Sequence, residues 1–201
     1  MSVNINLVKE LREKSGAGMM DCKKALEQAN GNMDDAIDWL RKKGLSIASK
    51  KSSRTTSEGL VATNVLNGVG TIVEINSETD FVSRNDEFQD FVNNVSIASL
   101  NVESINELMK CNYNDTSKLI EDILNDKIAK IGENLIIRRM KKIFIKEGLI
   151  VQYIHNRISD NLGRIGVLIA LESKADNSIL DDLGKKLAMH IAALSPMSID
   201  I

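Results

Sequence analysis

Apolar positions in residues 4–44 recur every three or four residues, which is the period of an amphipathic α-helix. The pattern is interrupted at Gly16 and again at Gly31, so it predicts three short helices. Asp21 and Asn32 are suited to cap the second and third helices, because their side chains accept hydrogen bonds from free backbone N–H groups. Gly44 follows two lysines and predicts the end of the third helix. The apolar positions that define these helices are Leu7, Val8, Leu11, Cys22, Ala25, Leu26, Ala29, Ile37 and Leu40.

Residues 46–58 lose the helical period and are rich in Ser, Thr, Lys and Arg. This composition favours a solvated linker, or the fraying end of the third helix that leads into one, after a three-helix module over residues 1–45. The basic side chains of Lys50, Lys51 and Arg54 suggest contact with phosphate groups as the other interpretation, and the linker is the simpler of the two.

Two later segments repeat one pattern of strands, turn and helix. Residues 59–77 and 148–173 each alternate apolar and polar positions around a central turn, which is typical of a β-hairpin. Each hairpin precedes an amphipathic stretch with helical period, residues 86–100 in the first copy and 181–194 in the second. The repeat therefore predicts two related α+β subdomains.

The first copy of the repeat extends further than the second. Residues 119–131 predict another helix that ends at Gly132, and residues 135–145 predict a third strand. The second copy has no counterpart of this helix and strand, so we expect it to lack its C-terminal part. A strand over residues 165–171 would then be unpaired and leave an exposed edge, which allows partial disorder near the end or pairing with another chain.

The fold class that these patterns predict is α+β. Three N-terminal helices precede antiparallel strands with helices on one face. The predicted division of the chain is a helical module over 1–45, a linker over 46–58, a first core subdomain over 59–147 and a partial second core subdomain over 148–201.

Composition indicates a folded protein without affinity for membranes. The 201 residues are 43% hydrophobic and 27% charged, and the formal net charge of -2 gives no general attraction to nucleic acid or anionic lipid. No apolar stretch reaches the roughly 18 residues that span a bilayer, and the N-terminus lacks a signal-peptide pattern. Cys22 and Cys111 are far apart and belong to no Cys-x-x-Cys pair, which indicates free thiols and a cytoplasmic protein.

No arrangement of residues indicates an enzyme or a metal site. The glycines of residues 68–70 lack the third glycine of a dinucleotide-binding loop, and Gly184 lacks the rest of a phosphate-binding P-loop. The two histidines, His155 and His190, have no cysteine or acidic residue at metal-ligand spacing. The acidic pair in residues 78–80 is typical of solvated loop charges. We therefore expect no catalytic residue, no metal and no cofactor.

A basic stretch is the sequence feature that most favours nucleic acid. Residues 138–142 read Arg-Arg-Met-Lys-Lys within a predicted strand. They lack the interleaved aromatic residues on which bases stack, and charged edge strands also protect a sheet from aggregation. We expect no direct nucleic acid contact, and RNA association through this strand and Lys50, Lys51 and Arg54 is the second interpretation.

An aromatic residue lies among charges in the loop SETDFVSRND, residues 77–86. A hydrophobic staple would need Phe81 to precede the cap of the following helix. A cap at Ser83 makes Val82 the preceding residue, and a cap at Asn85 makes it Arg84. Phe81 therefore either folds back on its own domain or anchors the chain in a pocket of a partner, and the sequence leaves both open.

Several motifs resemble those of the elongation factor Ts family and occur in that family's order between residues 7 and 196. They are LVKELR at 7–12 with GAGMMDCKKAL at 16–26, TDFV at 79–82, KIGEN at 130–134, Tyr153-x-His155 with RIGV at 164–167, and AMHIAA at 188–193.

The resemblance implies a guanine-nucleotide exchange factor for elongation factor Tu in bacterial translation, without covalent chemistry of its own. It implies that the three helices are similar to ubiquitin-associated domains and that two related α+β subdomains form the core. Longer family members carry a helical-hairpin insertion and a C-terminal module after the region that matches residues 189–196. The resemblance does not define an oligomeric state.

The resemblance also implies which residues contact the GTPase domain of the partner. Asp80 and Phe81 match a wedge that presses near the magnesium site of that domain, within the loop motif Thr79 to Val82. Further contacts are implied for Met20 and Lys23 in the helical module and for Ile131, Gly132 and His155 in the core.

Overall fold

The computed structural model describes residues 4–196, which form two compact units. The first unit contains residues 4–55 and 122–135, and the second contains residues 56–121 and 136–196. Within residues 4–196, no helix combines the length and apolar character that crossing a bilayer requires. The elements in chain order are α1 (Ile5–Ser15), α2 (Met19–Gln28), α3 (Met33–Lys51), β1 (Glu58–Leu66), β2 (Val69–Ser77), a 3₁₀ turn (Val82–Arg84), α4 (Asp86–Ser99), α5 (Ile105–Met109), α6 (Ile120–Ile131), β3 (Leu135–Phe144), β4 (Leu149–Ser159), β5 (Leu162–Leu171) and α7 (Asn177–Leu194).

The three N-terminal helices surround a small apolar core. The predicted cap at Asn32 is confirmed, because its side chain accepts hydrogen bonds from the first turn of α3. Gly16 ends α1 in the left-handed conformation, with φ of 67°. The residues buried together are Val8, Leu11, Cys22, Ala25, Leu26 and Ala36. Both cysteines are free thiols, and Cys22 belongs to this core.

The predicted cap at Asp21 is wrong. Helix α2 begins earlier, at Met19, and Gly18 occupies the cap position without a side-chain hydrogen bond. Asp21 instead lies in the first turn, where the positive end of the helix dipole stabilises its carboxylate. There it forms an ion pair with Lys43 of α3, with Nζ and Oδ1 2.5 Å apart.

Helix α3 continues beyond its predicted end at Gly44 and reaches Lys51, so part of the predicted linker is helical. Gly44 is buried, and a Cβ atom at this position would lie 3.9 Å from Cβ of Ala129 in α6. Gly44 therefore stays inside the helix at a buried position facing α6, despite the cost of about 1 kcal/mol relative to alanine that glycine adds there. The residues after Lys51 then form the irregular connection to β1.

The second unit is built on one five-stranded sheet with the order β3-β2-β1-β5-β4. Strands β1 and β2 form one antiparallel hairpin and β4 and β5 form another, so both predicted hairpins are confirmed. Strand β1 joins the hairpins by pairing with β5 at Val61–Gly163 and Ala62–Leu162. The two copies of the repeat therefore share a single sheet.

The third strand of the first copy, β3, lies at the edge of the sheet beside β2. The N–H of Ile145 donates to the carbonyl of Gly68 at 2.9 Å, and Nε of Arg138 donates to Oδ1 of Asn76 at 2.9 Å. Contacts of β3 and the residue after it thus run from Arg138 to Ile145 while their partners run back from Asn76 to Gly68, so β3 and β2 are antiparallel. Helix α6 ends as predicted before Gly132, whose φ is 86°.

The expectation of an unpaired strand over residues 165–171 is wrong for the side of β5 that faces β4. Strand β5 pairs with β4 along its length, up to Leu171 opposite Leu149. On its other side, within residues 4–196, β5 pairs with β1 at Leu162 and Gly163 and with no other strand along residues 165–171. The physical reason is that the hairpin supplies β5 with a partner directly after the turn, independently of any later strand.

Each hairpin is covered on one face by a helix. Helix α4 packs on β1 and β2, where Oγ of Ser99 donates to Oγ1 of Thr71 at 2.8 Å. Helix α7 packs on β4 and β5 through Gly184, where a Cβ atom would lie 2.5 Å from Cγ2 of Val151. The short helix α5 had no counterpart in the sequence patterns.

The faces of the two hairpins that the helices do not cover pack against each other. A Cβ atom at Gly166 of β5 would lie 2.7 Å from Cγ1 of Val61, and one at Gly70 of β2 would lie 2.9 Å from Cγ2 of Ile150 in β4. Strands β2 and β4 are not neighbours in the sheet, so this contact requires the sheet to bend back on itself. As far as residue 196, the second unit therefore has four layers, with the β1-β2-β3 and β4-β5 layers between α4 and α7.

Candidate functional site

The loop between β2 and α4 is held by hydrogen bonds at both ends. On the β2 side, Oγ of Ser77 donates to the carbonyl of Thr79 at 2.9 Å. On the helix side, Asn85 caps α4, and its Oδ1 accepts from the N–H of Phe88 at 3.2 Å. Between them, Oγ of Ser83 donates to the carbonyl of Asp80 at 2.5 Å. These contacts fix the backbone on both sides of Phe81.

Phe81 is exposed although the residues that follow it are buried. Its exposure is 76%, against 5% for Val82 and 2% for Ser83. Asn85 is the cap of α4, so Arg84 precedes the cap and Phe81 takes no part in a staple. Of the two interpretations left open by the sequence, folding back on its own domain is wrong, and anchoring in a partner pocket stays a prediction.

Asp80 lies beside Phe81 on the partly exposed side of the same loop. Its Oδ2 is 3.9 Å from Nη2 of Arg84, and that arginine side chain is 78% exposed. Exposed ion pairs of this kind contribute little to stability, about 0–1 kcal/mol. The carboxylate of Asp80 is therefore free to exchange Arg84 for another polar partner at small cost.

Arg164 of β5 reaches this loop from another part of the chain. Its Nη1 forms an ion pair with Oε2 of Glu58 at the start of β1, and its Nη2 donates to Oγ of Ser83 at 3.3 Å. The carbonyl of Ser83 also accepts from Nε2 of Gln89 in α4 at 3.0 Å. The turn after Phe81 is thus braced by a strand and a helix. The sequence patterns gave Arg164 no role, because no local signal reveals a contact with a residue 81 positions away.

His155 lies in the same unit as this loop. It is exposed on β4, opposite Ile165 of β5, and its Nδ1 is 3.2 Å from Oη of Tyr153. Ile165 directly follows Arg164, the residue that contacts the loop. Neighbouring residues of β5 thus contact the loop motif and lie opposite His155. Both the loop motif and His155 are parts of the site that the family resemblance implies.

Met20 and Lys23 belong to the first unit and lie on an exposed face of α2. Their positions differ by three residues, so they are neighbours on the helix surface. Met20 is 63% exposed, and Nζ of Lys23 is 3.9 Å from Oε1 of Glu27. A long apolar side chain beside a cation is suited to contact with a protein surface.

Ile131 and Gly132, also in the first unit, lie at the C-terminal end of α6. Ile131 is half-buried and Gly132 is exposed. Nζ of Lys51 donates to the carbonyl of Gly132, so the extended part of α3 holds this helix end. The amide of Asn134 donates to the carbonyl of Arg54 at 3.0 Å, which fixes the residues that follow.

Three basic side chains of the strand considered for RNA contact residues of their own unit. Nε of Arg139 is 2.5 Å from Oε2 of Glu74, and Nζ of Lys142 is 2.8 Å from Oε1 of Glu103. Arg138 donates to Oγ1 of Thr56 at 2.9 Å. Desolvation raises the pKa of Glu74, but hydrogen bonds from Asn76 and Arg139 and the charges of both arginines outweigh it and hold that pKa below its usual value. These pairs reduce the charge that the strand offers to phosphate.

Acidic, histidine and cysteine side chains do not gather into a metal site in the part of the chain that the structure describes. Several of the residues implied as site residues, among them Phe81, Met20, Lys23 and His155, are exposed and therefore accessible to another protein. They lie on a loop with a fixed backbone, on a face of α2 and on β4.

Comparison with known proteins gives one family. The family model described as Elongation factor TS matches residues 78–201. Elongation factor Ts of Methylorubrum populi is 49% identical over 200 residues, which cover 99% of this chain and 65% of that protein. Elongation factor Ts of Sinorhizobium medicae is 47% identical with the same coverage, and that of Agrobacterium fabrum is 47% identical over 194 residues, covering 96% of this chain and 63% of that protein. The chain thus spans 63–65% of the length of these relatives.

Proposed function

The chain belongs to the elongation factor Ts family, and we propose that it is a guanine-nucleotide exchange factor that binds elongation factor Tu·GDP and promotes release of GDP during protein synthesis. The observation that carries this proposal is the exposure of Phe81 on a loop whose flanking backbone is fixed. The chain performs no covalent step, and we place it in the cytoplasm without a membrane or nucleic acid partner.

The proposed mechanism is differential binding. An exchange factor that binds the nucleotide-free partner more tightly than the GDP-bound partner must weaken GDP binding by the same factor. Couplings of this kind are typically about 1–3 kcal/mol, or about 5–150-fold. Contacts that form equally well in both states contribute affinity without accelerating release.

In this mechanism, Asp80 and Phe81 make the contacts that differ between the two states. The ring of Phe81 enters a pocket of the GTPase domain that opens when the elements around the magnesium site have shifted. Asp80 positions the loop there or competes for groups that stabilise the ion. Because the loop is already ordered, little conformational entropy is lost when the ring is buried.

The remaining implied residues contribute to docking. We propose that Met20 and Lys23 contact the same GTPase domain from the helical module, and that Ile131, Gly132 and His155 contact the partner from the end of α6 and from β4. Thr79 and Val82 shape the loop around the wedge, with Val82 buried beneath it.

The test is release of a fluorescent GDP analogue from elongation factor Tu, measured with and without the chain. The proposal predicts faster release that increases with chain concentration and saturates. Release at the unassisted rate would contradict it. Salt-dependent binding to RNA without faster release would favour the second interpretation, in which the basic residues contact phosphate.

A further inference from the structure

Arg164 connects two segments that are far apart in the sequence. Its Nη1 contacts the carboxylate of Glu58 at the start of β1, and its Nη2 donates to the hydroxyl of Ser83 in the turn after Phe81. The side chains of Arg164 and Glu58 are only 34% and 38% exposed. Their ion pair is therefore better shielded from solvent than an ordinary surface pair.

The hydroxyl of Ser83 is the point where this contact meets the wedge. Ser83 is almost fully buried, and its Oγ donates its proton to the carbonyl of Asp80. The same oxygen accepts a hydrogen bond from Nη2 of Arg164, so both functions of the hydroxyl are used. Any movement of Ser83 would therefore move the peptide group that joins Asp80 to Phe81.

The exposed ring of Phe81 has little packing of its own to hold it in place. Its position depends on the backbone turn, and the turn depends on the contacts of Ser83. A guanidinium is planar and presents donors on separate nitrogens in fixed directions, which a lysine ammonium does not. Arg164 is thus suited to hold Glu58 and Ser83 at the same time.

We propose that Arg164 is a positioning residue for nucleotide exchange, which orders the Asp80–Phe81 wedge through the hydroxyl of Ser83 before the partner binds. This inference rests on the proposed function for its effect on exchange. The ordering of the loop is a property of the chain alone and is tested without the partner.

The first experiment measures amide hydrogen exchange of residues 79–85 in the isolated chain. Arg164→Ala is expected to speed exchange in this segment by about two- to tenfold, the change expected when one hydrogen bond is lost. Arg164→Lys keeps the charge near Glu58 and is expected to recover part of the protection. The matched control is Arg157→Ala, which removes an arginine of β4 that pairs only with its own neighbours Ser159 and Asp160 in the described contacts.

A second variant separates positioning from general stability. Ser83→Ala removes the hydroxyl, so Arg164→Ala should have no further effect on exchange of residues 79–85 in a Ser83→Ala background. Thermal unfolding of each variant shows whether it is folded. Protection that is unchanged in folded Arg164→Ala, or equal losses in both backgrounds, would overturn the proposal.

The GDP-release assay tests the functional part of the inference. Arg164→Ala is expected to slow assisted release by about two- to tenfold, and Arg157→Ala is expected to leave it unchanged. A loosened loop with full exchange activity would contradict the role of Arg164 in exchange. If the unaltered chain does not accelerate release, the proposed function fails, and the hydrogen-exchange result alone decides whether Arg164 orders the loop.

Discussion

Replacing Phe81 by alanine should reduce nucleotide exchange while leaving the fold nearly intact. The ring is 76% exposed, and the turn around it is held by Ser77, Ser83 and Asn85 rather than by the ring. The variant therefore separates a contact made with the partner from a contact made within the chain. A buried aromatic residue does not allow this separation, because its removal also destabilises the fold.

The structure sets the expected sizes of both effects. Full burial of a phenylalanine side chain is worth about 1.5–3 kcal/mol. About a quarter of the Phe81 side chain is buried in the free chain, so its loss should lower the free energy of unfolding by only about 0.4–0.7 kcal/mol. Burial of the exposed fraction in the partner is worth about 1.1–2.3 kcal/mol, which corresponds to about 7- to 50-fold in GDP release if the contact forms only in the activated complex.

The assay compares GDP release from elongation factor Tu over a range of concentrations of each variant, with urea unfolding of the same preparations. Phe144→Ala is the matched control, because Phe144 is a 60% exposed ring at the end of β3. Phe88→Ala is the contrasting control, since a fully buried ring in α4 should cost about 3–5 kcal/mol of stability. Equal activities of the Phe81→Ala and Phe144→Ala variants would refute the reasoning.

Four further substitutions test the packing, each by urea unfolding. Gly44→Ala should stabilise the chain by about 1 kcal/mol, because a Cβ atom has space there, and destabilisation would argue against a continuous α3. Gly184→Ala should destabilise by about 1–2 kcal/mol despite the same gain in helix propensity, because its Cβ atom would collide with Val151; unchanged stability would place α7 further from the sheet. Asn85→Ala should cost about 1 kcal/mol through loss of the α4 cap, and no cost would exclude that cap. Thr63→Val should stabilise by about 1 kcal/mol, because Oγ1 of Thr63 is buried and has no hydrogen-bond partner in the described part of the chain; a loss would indicate a bound water there.

Local patterns predicted the elements whose causes are local. The hairpins follow from alternating apolar positions around tight turns, and their register agrees with that alternation. The cap at Asn32 and the end of α6 at Gly132 follow from side-chain chemistry and backbone conformation at single residues. Phe81 was noticeable because an aromatic residue among charges fits no capping register, but its exposure was left open by the sequence.

Features that depend on contacts between distant residues were not predictable in this way. Gly44 predicts a helix end locally, but it is buried inside α3, with Ala129 of α6 as a neighbour that is distant in sequence. The bend of the sheet depends on glycines that let the two hairpins approach closely, and a strand pattern does not show which face meets another strand. The bracing of Ser83 by Arg164 joins residues that no local rule connects.

The measurement that tests the central claim most directly is the affinity of the chain for elongation factor Tu in its nucleotide-free and GDP-bound forms, by titration calorimetry under one set of conditions. The account predicts that the chain binds the nucleotide-free form about 5–150-fold more tightly than the GDP-bound form, and this factor equals the one by which the chain weakens GDP binding. The ratio of the two affinities should be smaller for Phe81→Ala. Equal affinity for the two forms, or no binding to either, would contradict it.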